Sequence, residues 1–162
     1  MPSPAITVAM SVYNGERFLS EAIESVLAQS WRDFEFLLLD DGSSDGSLAI
    51  MQRFAALDPR IRVIARENRG LIASLNQLLA EAQAPLIARM DADDVCLPER
   101  FARQIGFFAA NPQHGVVGSL TDDIDERGQP YAMVPANHPL THEVFLERIE
   151  SRGQLLAHPT VM

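Results

Sequence analysis

Pro85-Leu86-Ile87-Ala88-Arg89-Met90-Asp91-Ala92-Asp93-Asp94 runs from an apolar stretch straight into three carboxylates within four residues. A short apolar run closed by polar residues reads as a buried strand, here Leu86 to Met90. The carboxylates behind it repel one another unless a divalent cation lodges among them, and hard oxygen ligands suit Mg²⁺ or Mn²⁺. Such a cation would in turn hold phosphate oxygens. The stretch therefore predicts a buried strand delivering acids to a site for a diphosphate-bearing substrate.

Upstream, strands and helices alternate. Ile6 to Met10, Phe34 to Leu39 and Ile61 to Ala65 have the composition of buried strands. Between them, apolar residues recur with a helical period. One helix is expected over about Glu16 to Gln29, another after Asp45 as its cap, ending before Asp58-Pro59, and a third from Leu71 to Ala82 with Leu71, Leu75, Leu78 and Leu79 inward. Downstream, Pro98 suits a first helical position ahead of Phe101, Ile105 and Phe108. Val116 to Leu120 reads as a fifth strand, Asp125 to Gly128 as a turn within a hairpin, Thr141 to Glu150 as a short helix and Leu155 to Met162 as a last strand. This order predicts an α/β fold, a mostly parallel sheet with helices on both faces. The final strand has no helix to cover it, so the chain is expected to end inside a domain.

In such sheets ligands bind beyond the carboxyl ends of the strands. The polar clusters fall there: Ser11 to Gly15 after the first strand, Asp40 to Asp45 after the second, Arg66 to Gly70 after the third, and Asp91 to Asp94 after the fourth. Taken singly they have plain explanations. Asp40 and Asp41 read as a turn and a cap, Asp91 to Asp94 as a solvated loop, and Tyr13 as a half-buried aromatic. Together they predict one site.

Composition bounds the possibilities. The chain has 162 residues, 47% of them hydrophobic, which suits one domain with a core. A net charge of -9 disfavours nucleic acid, whose phosphates require Lys and Arg. A lone cysteine, Cys96, rules out an internal disulfide and fits a reducing compartment. No run approaches the roughly 20 apolar residues of a membrane span, and Met1-Pro2-Ser3-Pro4 does not resemble a signal peptide. There is no G-x-G-x-x-G, P-loop or zinc cluster. Phosphate must then be held by metal and scattered donors.

Ile6 to Asn14, Asp40-Asp41-Gly42-Ser43-Ser44-Asp45, Asn68-Arg69-Gly70 with Asn76, Asp91-Ala92-Asp93-Asp94 and Ala157-His158-Pro159-Thr160-Val161-Met162, in that order, resemble the family-two glycosyltransferases of the GT-A fold. The resemblance implies an inverting, metal-dependent transfer from a nucleotide-diphosphate sugar, with UDP or dTDP as the nucleotide, to a saccharide or lipid-linked acceptor hydroxyl. It implies that residues 1–120 bind the nucleotide sugar and that residues 121–162 begin the acceptor side of the same domain. Ser11 and Tyr13 would lie beside the base, Asp40 and Asp41 would accept from it, Arg69 would contact phosphate and Asp91 would face the ribose. Asp93, with Asp91, Asp94 and His158, would serve Mn²⁺ or Mg²⁺. The family's general base lies some way beyond the segment that Ala157 to Met162 resembles, so no catalytic residue is assigned in this chain. Where many members carry Ala-Arg-Asn, this chain has Ser74-Leu75-Asn76, which removes a donor-binding arginine. The resemblance further implies a cytoplasmic protein, free or at the inner face of the membrane, in cell-surface polysaccharide assembly. A nucleotide-binding module without turnover is the non-enzymatic alternative. A sugar-phosphate nucleotidyltransferase fits less well, since its Gly-rich basic loop is replaced by Tyr13-Asn14-Gly15-Glu16.

Overall fold

Four apolar runs become four strands: β1 (Ile6–Val12), β2 (Phe34–Asp40), β3 (Ile61–Ala65) and β4 (Leu86–Met90). The computed structural model of the chain describes residues 4–131, 141–150 and 156–162. The strands form one parallel sheet in the order β3-β2-β1-β4, with Met10 opposite both Leu38 and Met90. Between β1 and β2 runs α1 (Leu19–Leu27), between β2 and β3 runs α2 (Ser47–Leu57), and between β3 and β4 runs α3 (Leu71–Glu81). The first two crossovers step outward on one side of β1. The third returns past β1 to its other side. Right-handed crossovers in opposite directions place their helices on opposite faces, and the buried clusters follow this rule. On one face, alternate strand residues such as Val8, Phe36 and Leu38 pack with Leu19, Ile23, Met51 and, from α4 (Arg100–Ala110), Phe101. On the other, Ala9, Leu37 and Leu39 pack with Leu78 of α3. Each such fully buried Leu or Phe contributes about 1.5–3 kcal/mol.

The elements depart from the sequence expectations in identifiable ways. The first helix starts at Leu19, not Glu16, because the loop before it is tied to another loop. Gly15 N–H donates to Ser47 Oγ and Glu16 N–H to Asp45 Oδ2. It ends at Leu27, two residues short of Gln29, whose amide instead donates to the Leu97 carbonyl. Asp45 sits one residue before the cap of α2, which is Gly46, and its Oδ1 accepts from Ser47 N–H. Leu71 and Leu79 of α3 are exposed, since the helix rests on the sheet only through Ser74 and Leu78, with Leu75 beside them. Pro98 precedes α4 by two residues, and its carbonyl accepts from Ser30 N–H.

Two expected strands are absent from the sheet. Val116 to Leu120 makes no ladder, although Val117 and Met162 exchange both backbone hydrogen bonds. Residues 156–162 contain a 3₁₀ turn, His158–Thr160, where Pro159 has no N–H to give a ladder and the Thr160 hydroxyl donates to Ala157. Residues 151–155 of that expected strand lie outside the described residues. The segment still guards the edge of β4: Arg89 N–H donates to the Val161 carbonyl, and Arg100 donates to the carbonyls of both. The expected hairpin is present, with Ile124 bridged antiparallel to Pro130 and Gly128 at φ 75° in its turn. The short helix α5 spans His142–Glu150.

Candidate functional site

The strand order reverses between β1 and β4, and the crevice at such a switch point is where open α/β sheets bind ligands. An open hollow of about 450 Å³ lies there. The end of β1 supplies Ser11 and Tyr13, and the residues after β4 supply Asp91 and Asp93. Arg17 and Phe18, from the turn leading into α1, complete the wall.

The sequence fixes the pose of Tyr13 through its neighbours. Asn14 adopts φ 52°, a left-handed conformation that Asn tolerates. Its N–H donates to Ser43 Oγ, and its side-chain oxygen accepts from Ser44 N–H. Gly46 N–H donates to Glu16. The loops after β1 and β2 are thereby zipped together, leaving Tyr13 58% exposed beside the hollow. A half-exposed ring with its loop pinned is a ready stacking surface.

The acids after β4 differ in their surroundings. Asp91 is ion-paired with Arg89, a buried side chain of β4 whose Nε has no hydrogen-bond partner among the described residues. Asp93 is exposed and makes no hydrogen bond to another described residue. Asp94 is half-buried, and its carboxyl is held above the ordinary range by burial, then by the charges of Asp91 and Asp93. Among the described residues no three His, Cys, Asp or Glu side chains form a closed ligand cluster. Two carboxylates facing an open hollow suit Mg²⁺ or Mn²⁺, which keep positions for water and substrate phosphates. The donor set thus fits such an ion, provided that a ligand supplies the rest.

Asp40 and Asp41 are buried rather than lining the hollow. Asp40 accepts from Ser43 N–H. Asp41 is fixed from both sides: its N–H donates to the Val12 carbonyl, and its carboxylate accepts from Arg66 Nη1, Arg69 N–H at 2.9 Å and Gly70 N–H at 2.8 Å. That uses three of about four lone-pair sites and leaves one on Oδ2. Gly42, at φ 76°, permits this close approach, since a Cβ there would meet Asn68 N at 2.7 Å. The Arg69 side chain is exposed and His158 is exposed in its turn, and neither lines the hollow. Sequence reasoning missed Arg17. It stands outside every motif, and only the turn after Gly15 brings it to the wall.

The profile of "Glycosyl transferase family 2" matches residues 7–154. The chain belongs to glycosyltransferase family 2. Among curated relatives of this family 2 chain, the putative glycosyltransferase EpsE of Bacillus subtilis (strain 168) is 37% identical over 98% of this chain and 56% of its own length. The amylovoran biosynthesis glycosyltransferase AmsE of Erwinia amylovora is 36% identical over 76% of this chain and 47% of its own. The chain spans about half the length of the curated relatives it matches. Two solved structures share the GT-A fold. The mannosyltransferase PcManGT from Pyrobaculum calidifontis, in complex with GDP-Man and Mn²⁺, has a TM-score of 0.67 at 24% identity, covering 74% of this chain and 36% of its own. S. aureus TarS in complex with UDP-GlcNAc has a TM-score of 0.69 at 23% identity, covering 81% of this chain and 38% of its own.

Proposed function

We propose that this family 2 chain is the donor-binding part of an inverting glycosyltransferase that uses a UDP- or dTDP-sugar. The carrying observation is that Ser11 and Tyr13 share one hollow with Asp91 and Asp93 at the switch point of the sheet. A base needs a flat apolar face and edge partners, and a diphosphate needs positive charge. Tyr13 offers the face, and Ser11 lies beside it. Asp41, although buried in this structure, keeps one lone pair to offer the base edge, with Asp40 shaping the same loop. Asp91, oriented by Arg89, faces the ribose, and Arg69 meets phosphate if its exposed side chain swings inward. Asp93 and Asp91 hold Mn²⁺ or Mg²⁺, with Asp94 and His158 as supporting groups. The complexes of PcManGT with GDP-Man and Mn²⁺ and of TarS with UDP-GlcNAc support this class of ligand.

In an inverting transfer the acceptor oxygen attacks the anomeric carbon, its proton passes to a carboxylate base, and the nucleoside diphosphate leaves from the opposite side. The bound cation supplies charge neutralisation for the departing diphosphate. The residues described here bind and orient the donor, and none is assigned as the base. Residues 121–162 begin the acceptor side, and the acceptor is a saccharide or lipid-linked hydroxyl. The protein acts in the cytoplasm, free or docked at the inner face of the membrane; no helix among the described residues is long and apolar enough to cross one.

Calorimetric titration with UDP, dTDP and GDP, with and without Mn²⁺, tests this reading. Binding of UDP or dTDP that strengthens with Mn²⁺ is expected. No binding by folded protein would overturn the donor reading, and a preference for GDP would replace the base assignment.

A further inference from the structure

The hollow contains two carboxylates but must accept a diphosphate, itself strongly negative. Its cationic lining residue is Arg17. The Arg17 guanidinium lies over the Phe18 ring, 4.8 Å from the centroid, which restrains where the fork points. Its Nη2 donates to Glu126 Oε2 at 2.8 Å. Glu126 belongs to the hairpin around residues 123–131, which is otherwise closed on itself. Asp125 N–H donates to the Gln129 carbonyl, Tyr131 N–H to the Asp123 carbonyl, and Asp125 Oδ1 accepts from two backbone N–H groups. Among the described residues, Arg17–Glu126 is the one hydrogen bond joining this hairpin to the rest of the chain.

We propose that Arg17 is the oxyanion-binding side chain of the hollow, and that Glu126 occupies its guanidinium until a diphosphate displaces it. This rests on the nucleotide reading of the site and adds to it a residue and an exchange. The Glu126 carboxylate shows that an oxyanion can be seated on Arg17 at hydrogen-bond distance. The pair is 64% and 62% exposed, so solvent screens it and exchanging it costs little. A diphosphate brings more charge and several acceptor oxygens to the same planar fork, a better match than one carboxylate oxygen. Exchange also detaches the hairpin, so arrival of the donor frees the wall beside which an acceptor would enter.

The test compares UDP and GDP with uridine and guanosine, all with Mn²⁺, by calorimetry on the parent chain, Arg17→Ala and Glu126→Gln. Arg17→Ala is expected to weaken the nucleoside diphosphate about tenfold while leaving the nucleoside unchanged. Glu126→Gln is expected to tighten the diphosphate severalfold, because its competitor is gone. Unchanged diphosphate affinity in Arg17→Ala, or an equal loss of nucleoside and diphosphate, would overturn the proposal while leaving the nucleotide reading in place. A Glu126→Gln chain that binds no more tightly would overturn the exchange. A parent chain that binds neither nucleoside nor diphosphate would overturn the nucleotide reading and this proposal with it.

Discussion

Asp41 and Arg66 form a buried ion pair, Oδ1 to Nη1 at 2.5 Å, that fastens the end of β2 to the loop after β3. The guanidinium is fully engaged, since Nη2 donates to Ser74 Oγ and Nε to Gln77 Oε1 on α3. The carboxylate is the more deeply buried partner, and it also accepts two backbone N–H groups at the N-terminal end of α3. The partners are therefore unequal. Asp41→Ala strands a buried cation and two amides and is expected to cost about 3–4 kcal/mol. Arg66→Met leaves a carboxylate still held by backbone donors and is expected to cost about 2 kcal/mol. Urea denaturation of both variants checks the ranking, and a costlier Arg66→Met would mean that the backbone donors carry little.

Tyr13 shows the opposite balance. Its ring is mostly exposed and buries little, so Tyr13→Ala is expected to change unfolding free energy by less than about 0.5 kcal/mol. Loss of the stacking face should nonetheless weaken UDP about tenfold, whereas Tyr13→Phe retains most of the affinity. A large stability loss with unchanged UDP affinity would make Tyr13 a structural residue.

Asp93 is the acid least spent on the fold. It is exposed and has no hydrogen bond to another described residue, so Asp93→Ala should leave the melting temperature in place. If Asp93 serves the cation, Mn²⁺ should no longer strengthen UDP binding in this variant. Direct Mn²⁺ titration without nucleotide should show the same loss. Persistent metal dependence would move the ion to other ligands.

How far the sequence could be read depended on the range of the interactions. The four parallel strands and their helices were legible because each buries a continuous or 3.6-periodic apolar set, a property local to the segment. Ile61–Ala65 and Leu86–Met90 came out to the residue. The start of α1 did not, because Gly15 and Glu16 are held by Ser47 and Asp45, about thirty residues away. Val116 to Leu120 has a strand's composition, but among the described residues its backbone-to-backbone pairing is only with Met162, through Val117. Ser11, Tyr13, Asp91 and Asp93, which the structure brings to one hollow, stood out in the sequence because polar residues there follow apolar strands. Asp41 was legible as important, but its engagement by Arg66 was not, and Arg17 carried no signal of its own.

Asp94 gives a prediction in which the sign is informative. Burial, then the negative charges of Asp91 and Asp93, raise its carboxyl above the ordinary value of 3.8. An acid raised in the folded chain ionises less readily there than in the unfolded chain. Its charge therefore costs stability at every pH above the raised value. That cost shrinks as the pH falls from the raised value to the ordinary one and is gone below it, where both states are protonated. Asp94→Asn removes the charge and keeps the shape. At pH 7 without metal it is expected to raise Tm by about 1–2 °C, allowing for solvent screening of a half-exposed group. Below about pH 4 the two proteins should melt together. Mn²⁺ at pH 7 should also narrow the gap, because a cation among the acids relieves the same repulsion in the parent chain. A variant that melts lower at pH 7 would mean that the Asp94 carboxylate is favourably held, and that the acids after β4 are not crowded in the way a cation would relieve.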